Sequence, residues 1–306
     1  MKEYINKIIN ESSLVGLKKI PDKVIDCCVT SPPYWKLRDY GHPDQIGQEP
    51  TFQEYINNLL SVFNEIKRIL KDTGTCFVNL GDNYGSGSSI GNPNSLIRNN
   101  KSLIKRKPTE GYHKCLLMIP ERFSIHMIEK GWILRNQIIW HKPNQMPQSA
   151  TDRFTVDFEK IFFFTKSTEY YFEQQLDPYT KPLDRWGGDN LEANGNSTWD
   201  KGTGQASYRN RNMRPNPEGK NMRTVWSINT VAFPDAHFAT FPEKLAERMI
   251  LAGCPENGIV LDPFSGAGTV PLVSKKLNRN FCAFEINPKY ITMSNNRIYN
   301  KLGMFL

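Results

Sequence analysis

Apolar residues along this chain follow two rhythms. Short, mostly apolar stretches at 24–29, 75–80, 132–140, 158–165, 258–262 and 281–285 predict strands. Between them lie segments with apolar residues every three or four positions. In 51–71 these are Phe52, Tyr55, Ile56, Leu59, Leu60, Phe63, Ile66, Ile69 and Leu70, one face of a helix. Thr51 stands where an N-cap belongs and Glu54 follows three residues on, the pattern of a capping box. Further helices are predicted at 118–130, with Pro120 in the first turn, at 242–252, at 268–278 and from 288 onward. Strand and helix alternate, which predicts an α/β chain with a mostly parallel sheet covered by helices on both faces.

Two stretches carry no period. Residues 85–113 and 174–223 are rich in Gly, Asn, Ser and Pro. They predict a flexible basic loop and an inserted region within a single catalytic domain, 1–306. The chain has 39 Lys plus Arg against 31 Asp plus Glu, a formal charge of +8. That balance alone is ordinary, but its distribution is not. Arg98, Lys101, Lys105, Arg106 and Lys107 lie in a run without acids, and Arg209, Arg211, Arg214 and Arg223 lie in the second stretch. Flexible arms with this charge suit contact with phosphates, and a solvated loop is the plainer alternative.

No apolar run approaches the length of a membrane span, and MKEYINKIIN has charges where a signal peptide would be apolar. A cytoplasmic protein without membrane attachment is expected. The six cysteines are scattered without C-x-x-C spacing, and the histidines show no metal spacing, so buried thiols and no metal are expected.

The chemistry concentrates in two places. Near the C-terminus, an apolar strand ends at Asp262 and a turn follows with Gly266 and Gly268. A helix and a second strand come next, with Glu285 at its tip, 17 residues after Gly268. Glycines let backbone approach a ligand, and an acid one strand over can take both hydroxyls of a ribose. Position 271 is Pro, so the dinucleotide fingerprint is incomplete, and no phosphate-cradling G-x-x-x-x-G-K-[ST] occurs. S-adenosylmethionine, which has no pyrophosphate, fits better.

At the other end of the chain, Ser31-Pro32-Pro33-Tyr34 stops a buried strand abruptly. By itself this is a proline-stiffened turn. Facing a methyl donor, it has further uses. The amine of a nucleobase is a poor nucleophile, because its lone pair is delocalised into the ring. The Ser31 hydroxyl and the Pro32 carbonyl are acceptors that can draw the nitrogen toward tetrahedral geometry. The prolines hold them rigidly, and Tyr34 offers a plane for stacking a flipped base.

With both motifs in view, the sequence resembles the DNA amino-methyltransferases of the N4-cytosine/N6-adenine group. Ser31-Pro32-Pro33-Tyr34 matches their catalytic motif. Asp262-Pro263-Phe264-Ser265-Gly266-Ala267-Gly268-Thr269 matches their cofactor motif. The catalytic motif comes first, the circularly permuted β-type order. LRDYG (37–41), NLGDNY (79–84), IIWHKPN (138–144), FEKIFFFTKS (158–167) and HFATFPEKL (237–245) are similar too. The resemblance implies a class I methyltransferase fold with a seven-stranded sheet. It implies a cofactor site of Thr30, Phe241, Pro242, Asp262, Pro263, Phe264, Ser265, Gly266, Gly268, Thr269 and Glu285. Phe264 would pack near the adenosine, and Phe241 and Pro242 would close over it. The variable segment would read double-stranded DNA.

Ser before Pro-Pro is similar to the cytosine-N4 enzymes, with adenine N6 the alternative. A non-catalytic specificity protein on the same fold is the more distant one, and it would predict damaged motifs. Cytosine-C5 chemistry is disfavoured because the chain has no Pro-Cys dipeptide. The glutamine methyltransferases carry a similar motif in the opposite order. A cognate restriction endonuclease and a homodimer come with the family and are not specified by these residues. Asp82 reads equally as a contact to the methionine amine or a cap on its strand, Trp35 as core or base-stacking wall, and Arg38 with Asp39 as a structural pair or a DNA contact.

Overall fold

All six residues of β2 (Ile25–Thr30) are buried, so this strand lies inside a sheet with both faces covered. The computed structural model describes residues 1–85, 109–179, 216, 218–231 and 241–303. In chain order the other strands are β1 (Lys7–Asn10), β3 (Leu70–Leu80), β4 (Ile133–His141), β5 (Phe158–Thr165), β6 (Leu176–Asp177), β7 (Lys220–Asn221), β8 (Val225–Ser227), β9 (Ile259–Asp262) and β10 (Asn280–Glu285). Among the described residues the helices are α1 (Ser13–Lys18), α2 (Phe52–Ile69), α3 (Ile119–Glu129), α4 (Glu243–Gly253), α5 (Thr269–Lys276) and α6 (Pro288–Leu302).

Eight strands form the main sheet in the order β1-β10-β9-β2-β3-β5-β4-β8. All neighbours are parallel except β3 with β5 and β5 with β4. The sheet therefore has one strand more than the seven expected. The difference is β8, a three-residue edge strand in which only Trp226 is buried, too short to show a period. The edge strand β1 and helix α1 likewise leave no clear periodic mark in the sequence. The class I methyltransferase fold is otherwise as expected.

Alternation along β2 sends Cys28 to one face and Cys27 to the other. Cys28 joins a core with Leu17 of α1, Tyr55, Leu59 and Phe63 of α2, and Phe123 of α3. On the Cys27 side the backbone of Gly253 in α4 comes close, and an added Cβ there would lie 2.6 Å from the Phe77 ring. Phe77 and Phe163 stack between β3 and β5 with centroids 4.5 Å apart. Helix α2 opens as expected, with the Thr51 side chain accepting from the Glu54 amide and Glu54 reaching back to Thr51. Five cysteines are buried; Cys115 is exposed. Among the described residues no helix is long and apolar enough to cross a membrane.

The chain divides into two compact units, one formed by Met1–Glu173 with Thr224–Leu306, the other by Gln174–Arg223. Within the second, β6 and β7 pair antiparallel, Leu176 opposite Asn221 and Asp177 opposite Lys220. Arg223 is exposed in this unit. Arg98, Lys101, Lys105, Arg106, Lys107, Arg209, Arg211 and Arg214 lie outside the described residues.

Candidate active site

Strands β2 and β9 are direct parallel neighbours, with Cys27 opposite Val260 and Cys28 opposite Leu261. Their C-terminal ends therefore open side by side, and the two motifs meet there. The Thr30 hydroxyl donates to Asp262 Oδ1 at 2.8 Å, a buried bond between residues 232 positions apart. The Phe264 amide donates to the same oxygen at 3.1 Å. Burial pushes the Asp262 carboxyl from 3.8 up to about 7, against the lowering effect of these two donors.

The turn after Asp262 requires its glycines. Gly266 and Gly268 have φ of +50° and +71°. A Cβ on Gly268 would lie 2.7 Å from Cβ of Ser294 in α6, whereas at Gly266 it would meet nothing within 4 Å. The second glycine thus packs the turn on α6, and the first leaves its backbone open to a ligand. Ser13 donates to the Pro263 carbonyl at 2.6 Å, and Ser294 to the Gly266 carbonyl at 2.8 Å. Thr269 faces the same cavity as Ser31, yet its hydroxyl accepts from Arg297 at 2.9 Å. Arg297 also bonds the Ala267 carbonyl and Glu243, fastening the turn to α4 and α6. Sequence reasoning missed this clamp, because a single Arg within a helical repeat looks like surface charge.

Glu285 stands at the tip of β10. Its Oε2 accepts from the Gly266 amide at 2.8 Å, and Oε1 from the Asn287 amide at 2.9 Å. Each oxygen retains acceptor capacity for a ribose hydroxyl. Burial raises its pKa, and the backbone donors oppose the rise.

Two cavities share Ser31, Tyr40, Phe264 and Gly266 in their walls. The larger, about 720 Å³, reaches Glu285, Ile286 and Pro263. The smaller, about 210 Å³, reaches Tyr34, Asn79, Glu159, Asp262 and Phe241. Pro242 serves as the N-cap position of α4, and residues 237–240 of the HFATFPEKL stretch lie outside the described residues. This double cleft fits an adenosine-bearing ligand. Glu285 offers acceptors at one end, the exposed Gly266 backbone lies in the middle, and the Ser31 end holds polar side chains.

The Ser31-Pro32-Pro33-Tyr34 turn is anchored from behind. Tyr55 of α2 donates to the Pro33 carbonyl at 2.7 Å. The Tyr34 ring lies against Gly81, where a Cβ would fall 2.5 Å from ring atom Cε2. Its hydroxyl donates to Glu159 Oε2 at 2.5 Å and accepts from Asn79 Nδ2 at 2.8 Å. Asn79 also donates to Glu159 at 2.7 Å, and Lys142 is ion-paired with the other Glu159 oxygen. Ser31 Oγ approaches the Tyr34 hydroxyl at 3.4 Å. Burial, and then the Glu159 charge, push the Tyr34 phenol well above its ordinary value. The sequence reading treats Tyr34 only as a stacking plane and singles out none of Asn79, Lys142 and Glu159. The one available signal was an acid and a lysine flanking apolar runs in FEKIFFFT and IIWHKP.

Of the residues with two readings, Trp35 is core. It is 4% exposed, packs edge-on against Phe52 and donates to the Glu49 carbonyl. Asp82 caps a helix, not a strand: it accepts from the Ile119 amide at 3.1 Å at the start of α3 and from the Asn83 amide at 2.8 Å. Asp39 accepts from Gly41 and Gln45, while Arg38 lines the smaller cavity.

The DNA methylase family model matches residues 25–296. The type II methyltransferase M.SmaI of Serratia marcescens is 36% identical over 297 residues, covering 96% of this chain and 91% of that protein. Among solved structures, the PvuII DNA methyltransferase, cytosine-N4-specific, superposes with a TM-score of 0.62 at 18% identity, covering 96% of this chain and 93% of that one. The M1.HpyAVI complex with S-adenosylmethionine gives 0.53 at 16% identity, covering 95% and 97%.

Proposed function

This chain belongs to the DNA methylase family, and from that premise we propose that it methylates the exocyclic N4 amine of a flipped cytosine in double-stranded DNA. It is an S-adenosylmethionine-dependent DNA methyltransferase. When bound, the cofactor supplies an electrophilic methyl group. Glu285 would hold the ribose, Phe264 would lie against the adenine, and Asp262 with the Gly266 backbone would line the path to Ser31. The Ser31 hydroxyl and the Pro32 carbonyl accept hydrogen bonds from the amine and localise its lone pair.

One observation carries the reading. The neutral hydroxyl of Ser31 lines both cavities of the cleft, the one with Glu285 and the one with Asp262 and Tyr34. The choice of cytosine rests on Ser before Pro-Pro, and the PvuII enzyme of like fold has that specificity. The inserted unit Gln174–Arg223 is assigned to reading the DNA sequence, and the basic stretch around 98–107 to phosphate contact. As a type II methyltransferase of the cytoplasm, the protein would protect sites cut by a companion restriction endonuclease.

Incubation with labelled S-adenosylmethionine and mixed-sequence DNA, followed by nucleoside mass spectrometry, tests the reading. N4-methylcytosine is expected. N6-methyladenine instead would move the target to adenine, and neither product would overturn the reading. Ser31→Ala should cut turnover while calorimetry shows cofactor affinity unchanged.

A further inference from the structure

Methyl transfer to an amine leaves a proton to be disposed of, and the cleft contains a chain of groups leading away from Ser31. Ser31 Oγ lies 3.4 Å from the Tyr34 hydroxyl, and that hydroxyl lies 2.5 Å from Glu159 Oε2. Asn79 Nδ2 donates to both the phenol oxygen and Glu159 Oε2, at 2.8 and 2.7 Å. The phenol oxygen, accepting from Asn79, is left to direct its own proton at Glu159. Lys142 pairs with the far oxygen of the same carboxylate, and the Lys142 and Glu159 side chains are only 12% and 16% exposed. A carboxylate this enclosed, paired and aimed at a phenol is costly to keep for packing alone. The sequence of Ser31-Pro32-Pro33-Tyr34 explains the hydroxyl and the ring, but not why the ring ends on an acid.

We propose that Glu159 is the terminal proton acceptor of the reaction, reached from the substrate amine through Ser31 and Tyr34. This rests on the amine-methylation reading above. As the nitrogen lone pair forms the N–C bond, the C–S bond breaks and its electron pair returns to sulfur. The nitrogen then sheds one proton to Ser31 Oγ. The Ser31 proton passes to the Tyr34 oxygen, and the Tyr34 proton passes to Glu159 Oε2. The products are the methylated amine, a neutral thioether and a neutral Glu159, which returns its proton to solvent between turnovers. The 3.4 Å step is long, as such contacts often are before the substrate arrives. The buried phenol holds its proton far above neutral pH, so it passes protons on and does not rest as phenolate. Glu159 acts here through Tyr34 and Ser31 and positions both hydroxyls.

Glu159→Gln keeps an oxygen for Tyr34 to bond but cannot take the proton. Single-turnover methylation should fall about 100-fold in this variant, the usual scale of lost acid–base help. Tyr34→Phe should fall comparably. Calorimetry should show cofactor and DNA affinities within about threefold of wild type, a check that a purely structural loss would fail. In Glu159→Gly, added formate should restore part of the rate. A second readout needs no cofactor: in protein labelled with 13Cζ-tyrosine, the Tyr34 resonance should move on going to Glu159→Gln. An unmoved resonance, or an active wild type with Glu159→Gln and Tyr34→Phe equally fast, would overturn the relay alone. A wild type yielding neither methylated base would overturn the reaction and the relay with it.

Discussion

Thr30 and Asp262 are joined by a buried hydrogen bond of 2.8 Å that ties the ends of the two motif-bearing strands together. The bond restrains the carboxyl but does not offset its burial, which raises the pKa from 3.8 to about 7. Between these values the folded protein holds a proton that the unfolded chain has released. Stability should therefore fall as pH rises through that window, by roughly 4 kcal/mol in total for this group. Asp262→Asn keeps an oxygen for Thr30 and Phe264. Its stability should depend less on pH and exceed wild type at pH 8 in the absence of cofactor. Denaturation at pH 5 and pH 8 tests this, and an unchanged pH slope would contradict the assignment.

Glu285 holds the turn, and the proposed ribose contact would be a second role that a variant can separate from the first. Its oxygens hold the Gly266 and Asn287 amides as well as facing the larger cavity. Glu285→Gln keeps one oxygen and so one of the two amide bonds, and affinity for S-adenosylmethionine should drop about tenfold or more, on the scale of one charged hydrogen bond lost. Glu285→Ala should add a loss of stability of about 1–3 kcal/mol, since two partly buried amides lose their partner. Equal affinities in titration calorimetry would remove Glu285 from the cofactor site.

Gly81 supports Tyr34 by having no side chain. In Gly81→Ala the new Cβ would lie 2.5 Å from the ring, which is itself held by Glu159 and Asn79. The ring must shift, so turnover should fall at least tenfold while cofactor affinity stays within about twofold, because displacements of this size are costly for reacting groups. Normal turnover would show that the ring position is not critical.

Neither residue of the capping box at the start of α2 lines the two cavities. Thr51→Ala should cost about 1 kcal/mol in urea denaturation and leave turnover unchanged. A loss of activity at full stability would mean that α2 positions the Pro33 carbonyl, through Tyr55, more delicately than the fold suggests.

Much of this was legible in the sequence because the signals are local. The Thr51–Glu54 box, the apolar runs of β2 and β5, and the glycines before α5 each declare themselves within a few residues. Ser31 and Asp262 could be placed in one crevice because strand ends on one side of a parallel sheet converge. What escaped was long-range pairing of ordinary residues. Glu159 is an acid at a strand start, Asn79 an amide at a strand end, and Arg297 a helix cation. Each gains its meaning only from a partner in another part of the chain. The edge strands β1 and β8 escaped for another reason. They are held by backbone pairing to a finished sheet and need little apolar character of their own.

The parallel pairing of β2 with β9 has a consequence for how such a protein can change. The two motif-bearing strand ends are fastened by a ladder and a hydrogen bond, not by the polypeptide that connects them. Lengthening that connection raises the entropic cost of closure only logarithmically. The chain leaves the main unit at Glu173 and returns at Thr224, so a different segment could be spliced into that interval, or the two motifs exchanged in order, with their side chains left where they stand.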